Sequence, residues 1–188
     1  MSFKPLNRVI GGWTFGSRMV WQSGAPFSIL SFYATLNRAA RSYYNGADTT
    51  LGGGALAQIV HFQMTGNGPI EIATSAINPA DNSGVNAPGT STFPGQVFSN
   101  PGAGTLGGLQ RREFSGPWTF DIDMSLSKTV KITERQNVQL RMEAFNALNH
   151  PTFYVGDQNI NSVSPGFGTI TSMFYNPRIL EFGAHYNF

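Results

Sequence analysis

Apolar and polar residues alternate almost without interruption in Arg178-Ile-Leu-Glu-Phe-Gly-Ala-His-Tyr-Asn-Phe188. A strand places successive side chains on opposite faces, so this stretch predicts a β-strand with one apolar and one mostly polar face. The apolar set is Leu180, Phe182, Ala184, Tyr186 and Phe188. Aromatic residues such as those at its end are favoured where a strand meets a membrane interface. We therefore predict that the apolar face of this strand contacts lipid.

The same residues carry a family resemblance. The pattern Glu181-x-Gly183-x-x-Tyr186-x-Phe188 resembles the C-terminal assembly signal of bacterial outer-membrane β-barrels. The resemblance implies that these four residues are recognised by the barrel-assembly machinery and that the protein lies in the outer membrane. An edge strand of a soluble β-sandwich is the alternative, because alternation is common in any half-buried strand.

The composition favours strands and polar loops over membrane helices. Of the 188 residues, 12% are charged and 13% are aromatic, whereas typical soluble domains contain about 25% charged residues. No apolar run approaches the ~20 residues that a membrane helix needs. Because every backbone polar group must be paired inside lipid, a chain of this kind can cross a membrane only as a closed barrel. We therefore predict an all-β fold of antiparallel transmembrane barrel strands.

Net charge, cysteine content and the first residues bear on the partners, the chemistry and the export of the protein. The net charge of +2 is spread thinly, so we expect no nucleic-acid partner. The absence of cysteine excludes disulfides, thiolate metal sites and a cysteine nucleophile. The start of the sequence, Met1-Ser-Phe-Lys-Pro-Leu-Asn-Arg8, lacks the apolar core of a secretory signal. We expect residues 1–188 to be the C-terminal segment of a larger exported barrel, without its plug domain.

Three further stretches alternate like the final one. We predict long antiparallel strands at Val9–Gln22, Trp118–Lys131, Asn137–Phe145 and Arg178–Phe188, with Ile132–Gln136 as a tight connection. Each stretch reaches the ~9–11 residues that a bilayer requires of a strand. The predicted outward apolar patch comprises Trp118, Phe120, Ile122, Leu140, Phe182 and Tyr186.

The long segment Tyr33–Pro117 loses this pattern. Within it only Leu56–Met64 resembles a short strand, and Phe167–Ser172 is another short strand further along. A structureless segment of this length is abnormal in a compact domain but typical of the extracellular loops of outer-membrane barrels. We therefore predict that Tyr33–Pro117 and Asn146–Pro177 lie outside the cell, and that Ile132–Gln136 lies in the periplasm.

Polar residues show no arrangement typical of catalysis. Asp121 and Asp123 lie two apart on a predicted strand, as a metal-binding or proton-sharing pair can. They share their face with Arg141 and Glu143 of the next strand, which favours a charge-paired barrel interior. The histidines are scattered without ligand spacing: His61, His150 and His185. We expect no enzyme activity, no cofactor and no metal site.

A wider resemblance rests on short motifs that follow one another along the chain. They include Ser23-Gly-x-Pro-Phe27, Phe98-x-Asn-Pro-Gly102, Asp121-x-Asp-x-Ser-Leu126-x-Lys128, Arg141-x-Glu-Ala-Phe-Asn146 and Asn149-His-Pro151. The series resembles the C-terminal part of TonB-dependent outer-membrane receptors, especially the subset with an N-terminal carboxypeptidase-regulatory-like domain. The resemblance implies a barrel of about 22 strands with a plugged lumen and energised uptake of a large or scarce solute. The implied partners are outer-membrane lipid, the assembly machinery, and the remaining barrel and plug.

Loops positioned by a rigid sheet carry recognition, and Arg and Tyr are common recognition residues. The candidate contacts for an extracellular solute are Arg38, Arg41, Tyr43, Tyr44, Arg111 and Arg112. Two other classes stay open: a small stand-alone outer-membrane barrel or adhesin, and a soluble secreted carbohydrate-binding β-sandwich that uses Trp13, Trp21 and Trp118. A sandwich would enclose its aromatic face under a second sheet, whereas a barrel segment would leave that face exposed.

Overall fold

The computed structural model of the chain describes residues 9–36 and 44–188. These residues divide into two compact units. The sheet unit contains the described residues up to Gln22 together with Thr119–Thr152 and Met173–Phe188. The insert unit contains the described part of Ser23–Trp118 together with Phe153–Ser172. Most of the insert unit therefore lies, in sequence, between two segments of the sheet unit.

Strands dominate the secondary structure. In chain order they are β1 Trp13–Gln22, β2 Pro26–Phe27, β3 Leu30–Ser31, β4 Asn45–Gly46, β5 Asp48–Thr49, β6 Val60–Thr65, β7 Gly68–Ile72, β8 Phe98–Ser99, β9 Phe114–Ser115, β10 Thr119–Lys131, β11 Asn137–Phe145 and β12 Ile179–Asn187. An α-helix, α1, spans Gly53–Ile59, and a 3-10 turn spans Thr74–Ala76. The four long predicted strands correspond to β1, β10, β11 and β12.

The sheet unit is a four-stranded antiparallel sheet in the order β1-β10-β11-β12. Its first strand begins at Trp13 and not at Val9 as predicted, because Val9 and Ile10 are helical. Gly12 then adopts a φ of 74°, a left-handed conformation that a β-strand does not continue. The backbone N–H of Thr129 donates to the carbonyl oxygen of Gly12 at 2.9 Å, so this turn is anchored to β10.

The register places apolar residues of neighbouring strands side by side. Leu126 of β10 lies opposite Phe15 on one side and Met142 on the other, and Met142 lies opposite Phe182. Residues two apart share a face, so this row belongs to one apolar face. The apolar face carries Trp13, Phe15, Met19, Trp21, Phe120, Ile122, Met124, Leu126, Lys128, Val130, Val138, Leu140, Met142, Leu180, Phe182, Ala184 and Tyr186.

Much of the apolar face is exposed. Trp21 is 76% exposed and Phe182 is 75% exposed, while Leu140 and Tyr186 are about half exposed. Phe120 and Ile122 are partly buried, and Trp118 precedes β10 in the insert unit, where it is half exposed. The predicted outward exposure is therefore confirmed for Leu140, Phe182 and Tyr186, while Phe120 and Ile122 lie on the same face but are partly buried. This exposure contradicts the sandwich alternative, in which a second sheet would enclose these side chains, and it is typical of a lipid-facing surface.

The insert unit has its own hydrophobic core. Its most deeply buried side chains include Ile29, Leu56, Ile72, Phe98, Ile160 and Phe167. Phe98 and Phe167 pack edge to face, with ring centroids 5.5 Å apart. The expectation that Tyr33–Pro117 is structureless was therefore wrong for its described residues. Its apolar residues are spaced irregularly between turns, so they show no period in sequence although they bury together.

Both short strands predicted within the loop segments differ from the structure. Leu56–Met64 was predicted as one strand, but Gly53–Ile59 forms α1 and β6 begins only at Val60. The residues Ala55-Leu-Ala-Gln58 are good helix formers, and the helical turn brings Leu56 into the core. Phe167–Ser172 forms no strand: it contributes one isolated bridge, from Thr169 to Ile70, and the buried ring of Phe167.

Candidate functional site

Apart from Lys128, the charged side chains on the four long strands occupy the face opposite to the apolar face. Arg18 of β1 donates to Asp123 of β10 at 3.4 Å, and Arg141 pairs with Glu143 within β11. Asp123 Oδ1 also accepts a hydrogen bond from the backbone N–H of Asn146 at 3.1 Å. The predicted charge-paired face is therefore present. Sequence reasoning missed Arg18 as the partner of Asp123, because a strand partner so distant in sequence has no local signal.

The polar face carries more carboxylates than cations: Asp121, Asp123, Glu143 and Glu181 against Arg18, Arg141 and Lys131. Asp121 is 5% exposed, and its Oδ1 has no hydrogen-bond partner in the described residues. Glu143 lies directly opposite Glu181 of β12, and like charges in this position destabilise an antiparallel pair. A buried acceptor without a partner calls for water or for a donor from elsewhere. The polar face is thus chemically suited to a water-filled or protein-filled lumen.

Two of the predicted solute contacts lie together on the insert unit. Arg111 Nη2 donates to the backbone oxygen of Tyr44 at 3.5 Å, and both residues are exposed. The ring of Phe32 packs edge to face against the ring of Tyr44, with centroids 4.6 Å apart. This geometry places a guanidinium beside an aromatic residue at the surface, a combination that suits recognition of polar or anionic solutes.

Close backbone packing holds this surface. The N–H of Leu109 donates to the carbonyl oxygen of Ala47 at 3.0 Å. A Cβ on Gly107 would lie 1.8 Å from the carbonyl oxygen of Gly46, and a Cβ on Gly46 would lie 2.4 Å from that of Leu109. Glycine alone permits so close an approach. These two glycines therefore bring together the segments that carry Tyr44 and the arginine beside it.

The other predicted solute contacts are placed differently. Arg112 is exposed and adopts a left-handed φ of 58°, and its backbone N–H donates to Ser28 Oγ at 2.8 Å. Arg38, Arg41 and Tyr43 lie outside the described residues. Contact of any of the six candidates with a solute stays a prediction.

A partly buried polar network in the insert unit was not predicted. Ser31 Oγ donates to Asn100 Oδ1 at 2.7 Å, and Asn161 Nδ2 donates to the same oxygen at 2.9 Å. Asn161 Oδ1 accepts from the backbone N–H of Phe32 at 3.2 Å. Satisfied buried networks rigidify their surroundings. The network therefore steadies the residue that packs against Tyr44, and no spacing in the sequence links its three distant segments.

Glu71 of β7 is a buried acid. It is 1% exposed, and within the described residues no group lies in position to donate a full hydrogen bond to either carboxylate oxygen. Burial raises the pKa of Glu71 to about 7, although the backbone N–H of Gly156 lowers it in part. Glu71 thus titrates near neutral pH. A single Glu between Ile70 and Ile72 carries no sequence signal of this behaviour.

The four residues of the predicted assembly signal lie on β12 and immediately after it. The rings of Tyr186 and Phe188 stack with centroids 5.8 Å apart, and Phe188 is 93% exposed. Glu181 and Gly183 lie on the polar face, and open space surrounds the Cα of Gly183. The exposed aromatic pair is available to a partner, but its recognition by the assembly machinery stays a prediction.

Residues 9–36 and 44–188 contain no group of three or more His, Cys, Asp or Glu side chains that could hold a metal ion. None of the helices in this part of the chain is long and apolar enough to cross a membrane.

A sheet with one exposed apolar face and one charged face defines the chain as a β-type integral membrane protein. A family described as "Outer membrane beta barrel domain" matches residues 3–181. The chain therefore belongs to this family, and its location is the outer membrane. The comparisons with curated proteins and with solved structures found no match. Family membership confirms the predicted antiparallel transmembrane barrel fold and its location.

Proposed function

We propose that this chain is the C-terminal segment of a TonB-dependent outer-membrane receptor, and that the complete receptor takes up a large or scarce solute. The open edges of the sheet unit carry the proposal. Within the described residues, β1 and β12 are each paired with only one neighbour in the four-stranded sheet. Four strands do not close a barrel, since bacterial barrels have about eight strands or more. In this proposal, further strands of the same receptor complete it.

The two faces of the sheet support the same proposal. The apolar face meets outer-membrane lipid, and the polar face with Arg18, Asp121 and Asp123 lines a lumen that holds the plug. The unpartnered Oδ1 of Asp121 is then satisfied by water or by a plug donor. The assembly machinery recognises β12. The protein has no nucleic-acid partner and no catalytic role of its own in this proposal.

The insert unit supplies the solute contacts in this proposal. It is a folded unit with a core, and the backbone that carries its surface residues packs on that core. A hydrogen bond joins two of the candidate contacts, Tyr44 and Arg111. Rigid presentation of an aromatic residue and a guanidinium lowers the entropy that binding loses. We therefore expect solute affinity to depend on both residues.

The size of the native protein tests whether the chain is part of a larger barrel. An antibody raised against an exposed peptide of the insert unit is applied to outer-membrane fractions of the source cells. A band far above 20.4 kDa is expected. A heat-modifiable band at the mass of this chain would instead favour the small stand-alone barrel or adhesin and would end the receptor proposal.

Dependence on TonB is tested separately. Formaldehyde cross-linking in living cells, followed by purification of the receptor, should capture TonB, while a porin purified in parallel should not. Absence of a TonB adduct from a large, correctly inserted protein would remove energised uptake but leave the larger barrel in place. The two experiments therefore separate the architecture from the mechanism of transport.

A further inference from the structure

A groove on the apolar face of the sheet unit combines apolar walls with one cation. The groove has a volume of about 650 Å³, and the residues around it include Trp13, Leu126, Lys128, Leu140, Met142 and Phe182. Ala184 lies opposite Leu140, and its small side chain leaves space for the groove. Arg141 also borders the groove, but its guanidinium pairs with Glu143 on the polar face. Lys128 is therefore the charge that the groove presents on the apolar face.

The ammonium of Lys128 is held by dipoles and not by an anion. Its Nζ lies 4.9 Å from the ring centroid of Trp13, donates to the carbonyl oxygen of Val9 at 2.8 Å, and donates to that of Gly11. Lys128 is 8% exposed, and no carboxylate of the described residues lies within ion-pair distance of it. Two carbonyl oxygens use two of the three ammonium donors. Among residues 9–36 and 44–188, the desolvated charge therefore has one ammonium donor left over and no counter-ion.

We propose that this groove binds a phospholipid with an anionic headgroup, whose phosphate pairs with Lys128 and whose acyl chain lies against Leu126, Leu140 and Phe182. Barrels of the outer-membrane type turn their apolar face to lipid, and the chain belongs to such a family. Lys128 lies close to the end of β10, where a strand reaches the headgroup region. Trp13 beside it is the residue type that favours this depth. The anionic phosphate that a membrane supplies at this depth is thus the counter-ion that Lys128 does not find among the described residues.

Brominated lipids test the proposal, because bromine on an acyl chain quenches a nearby indole. The full 188-residue chain, with Trp21→Phe and Trp118→Phe so that Trp13 is the remaining tryptophan, is folded in detergent micelles. It is titrated with brominated phosphatidylglycerol or with brominated phosphatidylcholine, which carries no net charge. We expect phosphatidylglycerol to quench Trp13 at a roughly fivefold lower concentration, as one lysine near a membrane surface provides. Equal quenching by the two lipids would overturn the proposal, and this result needs no variant of Lys128.

Variants of Lys128 identify the residue responsible. Lys128→Met should bring the concentration ratio close to one, and Lys128→Arg should keep the preference. Lys131→Met is the matched control, because Lys131 lies at the same end of β10 but on the polar face and is exposed; it should also keep the preference. Retention in Lys128→Met, with the β-strand circular dichroism unchanged, would refute the assignment. Loss of the preference on adding inorganic phosphate would show a site for soluble anions and not for lipid.

Discussion

The guanidinium of Arg18 lies 3.4 Å from the carboxylate of Asp123, although the two residues are 105 positions apart in sequence. Most of the insert unit lies between them in the chain. The strands β1 and β10 are nevertheless neighbours, with Arg18 directly opposite Asp123 in the register. The pair therefore reports whether β1 has found its correct position on the sheet.

We expect the energetic coupling within this pair to be small. The side chain of Arg18 is 69% exposed and that of Asp123 is 27% exposed, so solvent screens the pair and the coupling is about 1 kcal/mol or less. A double-mutant cycle with Arg18→Met and Asp123→Asn, measured by urea unfolding in detergent micelles, gives this energy. A cycle with Arg18→Met and Glu181→Gln is the control and should give no coupling. A coupling energy well above this value for the pair would mean that it is shielded from water.

Glu71 makes the stability of the insert unit depend on pH. Its pKa is raised from 4.5 to about 7, so between these values the folded state holds a proton that the unfolded state has lost. The stability that protonated Glu71 contributes is fully present below pH 4.5 and is lost as the pH rises through about 7. The difference of about two and a half pKa units corresponds to about 3 kcal/mol. Glu71→Gln should remove this dependence and stabilise the protein at pH 8.

Trp118 allows that change to be measured, because it belongs to the insert unit whereas Trp13 and Trp21 belong to the sheet unit. Urea unfolding is followed by Trp118 fluorescence in a Trp13→Phe, Trp21→Phe background at pH 5 and at pH 8. Glu113→Gln is the control, because Glu113 is an exposed acid of the same unit. The assignment fails if Glu71→Gln and the parent respond to pH alike.

Gly46 and Gly107, whose close approach joins the segments that carry Tyr44 and Arg111, allow a test of packing. A Cβ on Gly107 would lie 1.8 Å from a backbone oxygen, so Gly107→Ala should destabilise the insert unit by about 1–3 kcal/mol, as overpacking does. Gly54→Ala is the matched control, because open space surrounds Gly54 in α1 and Ala favours a helix by about 1 kcal/mol. Urea unfolding measures both. Equal stability of the two variants would show that the close approach relaxes.

The sheet unit was readable from sequence because its information is local. In β10, the alternation from Phe120 to Leu126 assigns each side chain to a face whichever strand lies beside it. The hairpin of β10 and β11 was predicted from its short link, but the pairing of β1 with β10 was not, so the partner of Asp123 was missed. The first strand was predicted to begin too early. Val9 and Ile10 are apolar and continue the alternating pattern, but Gly11 and Gly12 separate them from the strand, which begins at Trp13.

The insert unit was not readable because its contacts are not periodic. Ile29, Phe98 and Ile160 reach one core from three distant segments, and no period in the sequence joins them. The composition of Tyr33–Pro117 correctly indicated many turns. A segment rich in turns can still bury a hydrophobic core, so its turns did not imply that it lacks structure. Of the candidate site, Tyr44 and Arg111 were named from residue type alone. Their proximity depends on close backbone packing at Gly46 and Gly107, which sequence reasoning did not foresee.

The predicted assembly signal makes a separate prediction. Phe188→Ala removes half of the exposed aromatic pair with Tyr186, so we expect several-fold less folded protein in the outer membrane of expressing cells. His185→Ala is the control, because His185 lies on the polar face of β12 opposite Gln139. Heat-modifiable protein on gels of membrane fractions measures the yield. Equal yields from the two variants would remove the aromatic residues from the signal.

The orientation of the barrel decides whether the insert unit can meet a solute. If the end of β12 lies at the periplasmic interface, β11 runs outward and β10 inward, since neighbouring strands are antiparallel. The short link Ile132–Gln136 then lies in the periplasm and the insert unit lies outside, in agreement with the usual lengths of barrel turns and loops.

The chain has no cysteine, so single cysteines can report these positions in the complete protein. Gly53→Cys suits the insert unit, because open space surrounds Gly53, and Glu134→Cys suits the link, because Glu134 is exposed. On intact cells, a membrane-impermeant maleimide should label Cys at 53 and should label Cys at 134 only after permeabilisation. Labelling of position 134 but not of position 53 on intact cells would invert the barrel and remove Tyr44 and Arg111 from any contact with an external solute.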